Sequence, residues 1–174
     1  MSRDYPSRFG GAAIGARLRR LSDRIDREAD GLYSARGIEF EQRWFGVMNQ
    51  LAVNTTMSVS ELAAALGVTH AAVSQTRAAL LARGLITATD DPADARRRAL
   101  TLSAPGRKMV KQLSPLWSAL NDVARDVDRE AGHVAEALAR LEAALDKRSL
   151  AARVRAKLDV QRKNGWPTRA ARNS

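Results

Sequence analysis

Apolar residues recur three, four and seven positions apart over most of this chain, the spacing of one face of an α-helix. Ile14, Leu18, Leu21, Ile25 and Leu32 predict a first helix whose other face carries Arg and Asp, with Gly37 closing it. "IEFEQRWFGVMNQLA" predicts a second helix, with Phe40, Trp44, Val47, Met48 and Leu51 on one side. Phe45 lies about 100° from Trp44 around that helix, which is therefore apolar on two sides and belongs in the centre.

"MSVSELAAALGVTHAAVSQTRAALLARGLI" predicts two short helices joined by a tight turn. Ser58 or Ser60 caps the first, and Glu61, three residues after Ser58, completes a capping-box pattern. Leu62, Ala63 and Leu66 face inward, Gly67 supplies a positive φ, Val68 plugs the corner and Thr69 caps the second helix. Val73 and Leu80 bury its inner side, and Gly84 ends it. The period then becomes extended: "LITAT", a polar turn "DDPADARR" and "RALTLS" read as a β-hairpin.

From Ser103 a long helix follows, with Pro105 at a tolerated early position and Met109, Val110, Leu113, Leu116, Trp117, Leu120, Val123 and Val127 on its buried side. Pro115 predicts a local kink. Beyond Gly132, Val134, Leu138, Leu141 and Leu145 stripe another helix, and Ser149 caps a last segment with Leu150, Val154 and Leu158 on one side. "NGWPTRAARNS" has no period and reads as a frayed end. The expected fold is mainly α: a winged helix-turn-helix with a two-stranded wing, flanked by helices from both ends of the chain. Residues 1–13 read as a flexible start, 14–146 as the winged-helix domain and 147–174 as a basic extension.

Composition narrows the functions open to such a fold. The chain has 174 residues, enough for one domain of ordinary size. It has no cysteine, which excludes disulfides and thiolate zinc sites, and His70 and His133 are too far apart in sequence to suggest a metal pair. No metal and no cofactor are expected. No apolar run reaches the roughly 18 to 20 residues of a bilayer span, and "MSRDYPSRFGG" lacks the apolar stretch of a secretory signal. The expectation is a soluble, cytoplasmic protein with no membrane partner. Neither a Gly-x-Ser-x-Gly elbow, a P-loop nor an HExxH pair occurs, and no nucleophile has a partnered base, so no enzyme is expected. A formal net charge of +10 points to a polyanionic partner. Most of it is C-terminal, because residues 147–174 hold nine basic residues against one acidic.

The stretches "IGARLRRLSDRIDREADGLYSARGIEF", "SVSELAAALGVTHAAVSQ" and "DPADARRRALTLSAPG" together resemble the MarR family of bacterial transcription regulators. The likeness runs from about Ile14 to about Leu145. Asp94 and Arg96 match the family's wing Asp-x-Arg, and Gly106 its following glycine. "EFEQRWFGVM" and "VTHAAVSQ" look like the branch in which such a domain is fused ahead of a GNAT acetyltransferase, and no acetyltransferase follows here. The resemblance implies a homodimer joined through its N- and C-terminal helices. Its two recognition helices would enter the major groove of a pseudo-palindromic operator, with the wings along the backbone or minor groove. Many relatives repress transcription and release DNA when a small aromatic ligand binds between the dimerisation and DNA-binding regions.

On that fold, with Val73 facing the core, Ala71, Gln75, Ala78 and Ala82 lie on the opposite side of the reading helix and make it smooth. Candidate DNA contacts are Ser60, Thr69, His70, Ser74 and Gln75, with Gln75 suited to a bidentate pair with adenine. Arg96, Arg97 and Arg98 at the hairpin add a minor-groove or phosphate contact, with Asp94 bracing Arg96. Arg77 sits where an apolar residue is commoner, so it must snorkel, pair with a carboxylate or reach phosphate, and a structural role is favoured. Tyr33, Trp44, Phe45 and Trp117 are the candidate ligand pocket, against the commoner reading of aromatics as core. The expected function is a sequence-specific DNA-binding transcription regulator, more a repressor than an activator. The alternative is a nonspecific nucleic-acid-coating protein driven by the basic tail.

Overall fold

The computed structural model describes residues 10–91 and 94–163, with side chains described outside 90–98 and 162–163. After a 3-10 turn at Gly10–Ala13, the helices are α1 (Ile14–Ser34), α2 (Phe45–Asn54), α3 (Val59–Leu66), α4 (His70–Ala82), α5 (Ala104–Glu130), α6 (Val134–Lys147) and α7 (Leu150–Lys163). The strands are β1 (Thr56–Met57), β2 (Ile86–Asp91) and β3 (Asp94–Leu102). The chain divides into two units, one ending at Ser114 and one beginning at Pro115, and α5 stays helical through the division. Pro115 removes one backbone donor from that helix.

Local chemistry sets the boundaries of α3 and α4. The Ser58 Oγ accepts from the Glu61 N–H at 3.2 Å while the Ser58 N–H donates to Glu61 Oε2 at 2.7 Å, a complete capping box. Gly67, at φ 63°, ends α3: its N–H donates to the Ala64 carbonyl at 3.3 Å, and the Val68 N–H to the Ala63 carbonyl at 3.1 Å. This Schellman closure needs the left-handed conformation that glycine adopts without a Cβ penalty. Thr69 Oγ1 then accepts from the Ala72 N–H at 3.2 Å and starts α4 two residues later. Val68 does not plug the corner as expected; it is 46% exposed. With the turn held by backbone hydrogen bonds, its side chain is not needed there.

The hairpin differs from its sequence reading in extent and in partner. Its strands pair from Ile86↔Leu102 to Asp90↔Arg98, with an irregularity at Asp90/Asp91, so the polar segment predicted as turn is mostly strand. The two-residue β1 pairs with β3 through Thr56↔Thr101 and Met57↔Leu100, making the sheet three-stranded in the order β1-β3-β2. A strand of two residues leaves no periodic trace in a sequence. Thr55 precedes it at φ 62°, a strained value for a β-branched residue. Leu62, Val73, Leu80, Ile86 and Leu100 are fully or almost fully buried, alongside Val47, Met48 and Leu51 from α2.

One junction joins α4, both wing strands and α5. The Leu85 N–H donates to the Leu80 carbonyl at 2.9 Å, and the Leu85 carbonyl accepts from Ser103 N–H at 3.0 Å. Ser103 Oγ donates to the Gly84 carbonyl at 2.6 Å and accepts from the Gly106 N–H at 3.0 Å. Arg107 Nη1 donates to the Leu102 carbonyl at 2.6 Å. Gly106 lies so close to the β2 entry that a Cβ would fall 2.0 Å from the Leu85 oxygen.

In the first unit, α1 buries only Ala29 and Tyr33; Ile14, Leu18, Leu21, Ile25 and Leu32 are all exposed, at 41%, 39%, 49%, 55% and 38%. In the second, the apolar side of α5 predicted as buried ends at Leu120, and Val123 and Val127 lie open. Val134, Leu145, Leu150, Val154 and Leu158 are exposed as well. Ser149 caps α7 as expected, its Oγ accepting from the Ala152 N–H at 3.2 Å. The terminal segments 1–9 and 164–174 lie outside the described residues.

Gly106→Ala is expected to destabilise the fold by about 2 to 3 kcal/mol, because backbone has to move to admit the methyl group. Urea denaturation measures this, and a loss below about 0.5 kcal/mol would contradict the close approach.

Candidate nucleic-acid interface

α4 buries Val73 and Leu80 and exposes Ala71, Gln75, Ala78 and Ala82, the positions about 140° to 200° from Val73. The smooth exposed face predicted from sequence is therefore present, and Gln75 is its one polar side chain. Thr69, His70 and Ser74 are exposed around the start of the same helix. The Ser60 Oγ and His70 Nε2 lie 2.9 Å apart, a hydrogen bond that links the first turns of α3 and α4. It orients both side chains at one end of the helix pair, where backbone N–H groups and the helix dipole favour an anion. Ser60, Thr69 and His70 are thus brought together, while Ser58 does the capping of α3.

The two flanks of α4 carry two arginines in opposite situations. Arg83, just past the helix end, donates through Nη1 to Glu39 Oε2 at 2.6 Å and stacks over the Trp44 ring, 5.1 Å from its centroid. This clamp fastens the end of α4 to the segment preceding α2. It spans 44 positions in the chain and leaves no local pattern to read. Arg77 is half-buried, and its Nε is fully buried without a hydrogen-bond partner among the described residues. Of the three roles open to it, pairing with a carboxylate is not found among the described residues.

Arg96, Arg97 and Arg98 lie on β3 itself, past the tip, with Arg98 opposite Asp90 in register. Their side chains and the proposed Asp94 brace lie outside the described residues. The aromatic candidates separate. Tyr33 and Trp44 are buried at 0% and 1% exposure, and Phe40 bridges them edge-on at ring distances of 4.8 and 5.6 Å. Tyr33 OH donates to Gln42 Oε1 at 2.7 Å, and the Gln42 N–H donates to Asp30 Oδ1 at 2.7 Å. That last bond holds α1 against a 3-10 turn at Gln42–Trp44, so α2 begins at Phe45 and Phe40 precedes the helix predicted to contain it. Tyr33, Phe40 and Trp44 pack as core, and Trp44 Nε1 has no hydrogen-bond partner among the described residues. Phe45 is half-buried on α2, and Trp117 is buried in the second unit.

The MarR family model matches residues 37–97, from the end of α1 to the wing. No curated protein matches the chain by sequence. Among solved structures, the fold is similar to that of MepR from S. aureus in complex with DNA, at 18% identity and a TM-score of 0.63, covering 76% of this chain and 98% of that one. It is similar to the M. tuberculosis regulator MosR in complex with DNA, at 24% identity, a TM-score of 0.62, and coverage of 78% and 98%. A third likeness is to Bordetella bronchiseptica BpsR, described for regulation of its DNA binding by 6-hydroxynicotinic acid, at 22% identity, a TM-score of 0.60, and coverage of 74% and 92%. Residues 37–97 thus match the MarR family model, and the winged-helix fold around them is similar to that of these regulators.

Thr69→Ala is expected to cost about 1 kcal/mol through loss of the α4 cap, whereas Thr69→Asp keeps the cap and the stability. The aspartate variant is nevertheless expected to weaken binding to DNA, because it places a negative charge on the exposed end of α4. Denaturation midpoints measured beside DNA affinities check the pair, and equal stability losses in the two variants would contradict the cap.

Proposed function

We propose that this MarR-type chain is a homodimeric, sequence-specific DNA-binding transcription regulator acting in the cytoplasm, a repressor of a pseudo-palindromic operator. The observation that carries the reading is the α4 surface: an alanine face with Gln75 exposed on it, beside a capped helix start that gathers Ser60, Thr69, His70 and Ser74. Small side chains let the helix approach base edges closely, and Gln75 offers the donor and acceptor pair that matches adenine in the major groove. Arg96, Arg97 and Arg98 on the wing would add phosphate or minor-groove contacts.

Dimerisation is supported by the apolar residues that each unit leaves uncovered, Ile14 to Leu32 on α1 and Val123 to Leu158 on α5 to α7. Apolar residues exposed at helical spacing form stripes rather than scattered single side chains, the pattern that a partner surface covers. A second copy satisfies that demand and places two reading helices in a two-fold arrangement, as a palindrome requires. Release by a small aromatic ligand belongs to the same reading. Its support is the unpartnered Trp44 Nε1 within the aromatic cluster, the clamp by which Arg83 ties that cluster to the end of α4, and the ligand regulation described for BpsR.

In mobility-shift titrations of the full chain on a duplex selected from a random pool, Gln75→Ala is expected to weaken binding by roughly 10- to 100-fold, about 1 to 3 kcal/mol, while leaving random-sequence duplex unaffected. Equal losses on both duplexes would contradict base reading by α4. Removing residues 147–174 is expected to preserve sequence preference wherever sedimentation shows the dimer intact. Loss of all binding from an intact truncated dimer would instead favour nonspecific coating by the basic extension.

A further inference from the structure

We infer that Arg77 is a DNA-backbone clamp, folded against the flank of α4 in the free protein and extended onto a phosphate in the complex. The inference rests on the DNA-reading assignment and deepens it.

Around α4, taking Val73 as the inward direction, Arg77 lies at about 40°, His70 at about 60°, Leu81 at about 80° and Ser74 at about 100°. These four share one flank, between the buried side and the alanine face. His70 and Ser74 are exposed there, His70 bonded to Ser60, so the flank carries polar groups from the helix start down to Arg77. The opposite flank holds Arg83, whose guanidinium is occupied by Glu39 and the Trp44 ring.

Arg77 has no such occupation. Its Nε is stripped of solvent and has no hydrogen-bond partner, and no carboxylate pairs with it among the described residues. Burying part of a cation without pairing it is unfavourable, and an apolar side chain of similar volume would fill the same space without that penalty. The charge therefore weakens the free protein, and a counter-ion outside the chain offsets the loss. A phosphate is the anion that the DNA-facing end of this helix meets. Swinging the side chain outward along the flank re-solvates Nε and gives the guanidinium a charge-assisted, bidentate partner.

The test uses the full-length protein with two probes, the selected duplex and a random-sequence duplex, titrated by fluorescence anisotropy over a range of salt. Arg77→Met is expected to melt at or above the wild-type temperature and to bind both duplexes more weakly by the same factor. Its slope of log affinity against log salt should fall by about 1.8 per dimer, because each protomer neutralises one phosphate fewer. Arg77→Lys should retain most of that slope. An unchanged slope in Arg77→Met, or an affinity loss confined to the selected duplex, overturns the clamp. So does a lower melting temperature, which would make Arg77 a packing residue. If the wild-type protein shows no salt-dependent binding to either duplex, the DNA-reading assignment itself falls.

Discussion

The fold turns on the hydrogen-bonded junction around Ser103 and Gly106. Within a few residues it ends α4, starts β2, finishes β3 and starts α5, using the Gly84, Leu85 and Leu102 carbonyls as fixed points. The proposed reading by α4 requires its orientation relative to the wing to be held, and both are attached to the same backbone atoms. The absence of a Cβ at Gly106 is what lets the chain pass this close to Leu85. Gly106 thus has a steric reason to be glycine that does not depend on positive φ.

A second constraint is apolar. Most of the fully buried side chains lie on α2, the helix-turn-helix and the sheet, with Tyr33 of α1 and Leu113 of α5 equally buried, whereas the rest of α1 and the later helices are striped with exposed Leu, Ile and Val. Hydrophobic burial is the main favourable term in folding, so these uncovered stripes are what supports the proposed dimer. Reading and association thereby draw on different parts of the molecule. On the proposed reading, the exposed alanine face of α4 serves DNA, while the exposed stripes of α1 and of α5 to α7 serve a partner copy.

What was legible in the sequence was local. Ser58 with Glu61, Gly67 with Thr69, Gly37 after α1 and Ser149 before α7 act within a few positions, and each does in the structure what its spacing predicts. The smooth side of α4 was legible too, because helical periodicity alone places Ala71, Gln75, Ala78 and Ala82 together. Long-range features were not. The two residues of β1 have no pattern, the pairing of Arg83 with Glu39 and Trp44 crosses the fold, and the bond from Gln42 to Asp30 delays the start of α2. Val123 and Val127 continue the stripe of α5 in sequence, and periodicity does not distinguish a face buried within the chain from one kept for a partner. Of the alternatives for Arg77, carboxylate pairing has no counterpart among the described residues, which leaves snorkelling and a phosphate contact.

The central claim is that two copies of this chain read one two-fold site. Selection of genomic fragments by the purified protein, followed by sequencing of those retained, tests it most directly. The account predicts a shared pseudo-palindrome whose half-sites are centred about one helical turn, 10 to 10.5 base pairs, or a multiple of it apart. Retained fragments with no common sequence, or with a single unsymmetrical half-site, would contradict it.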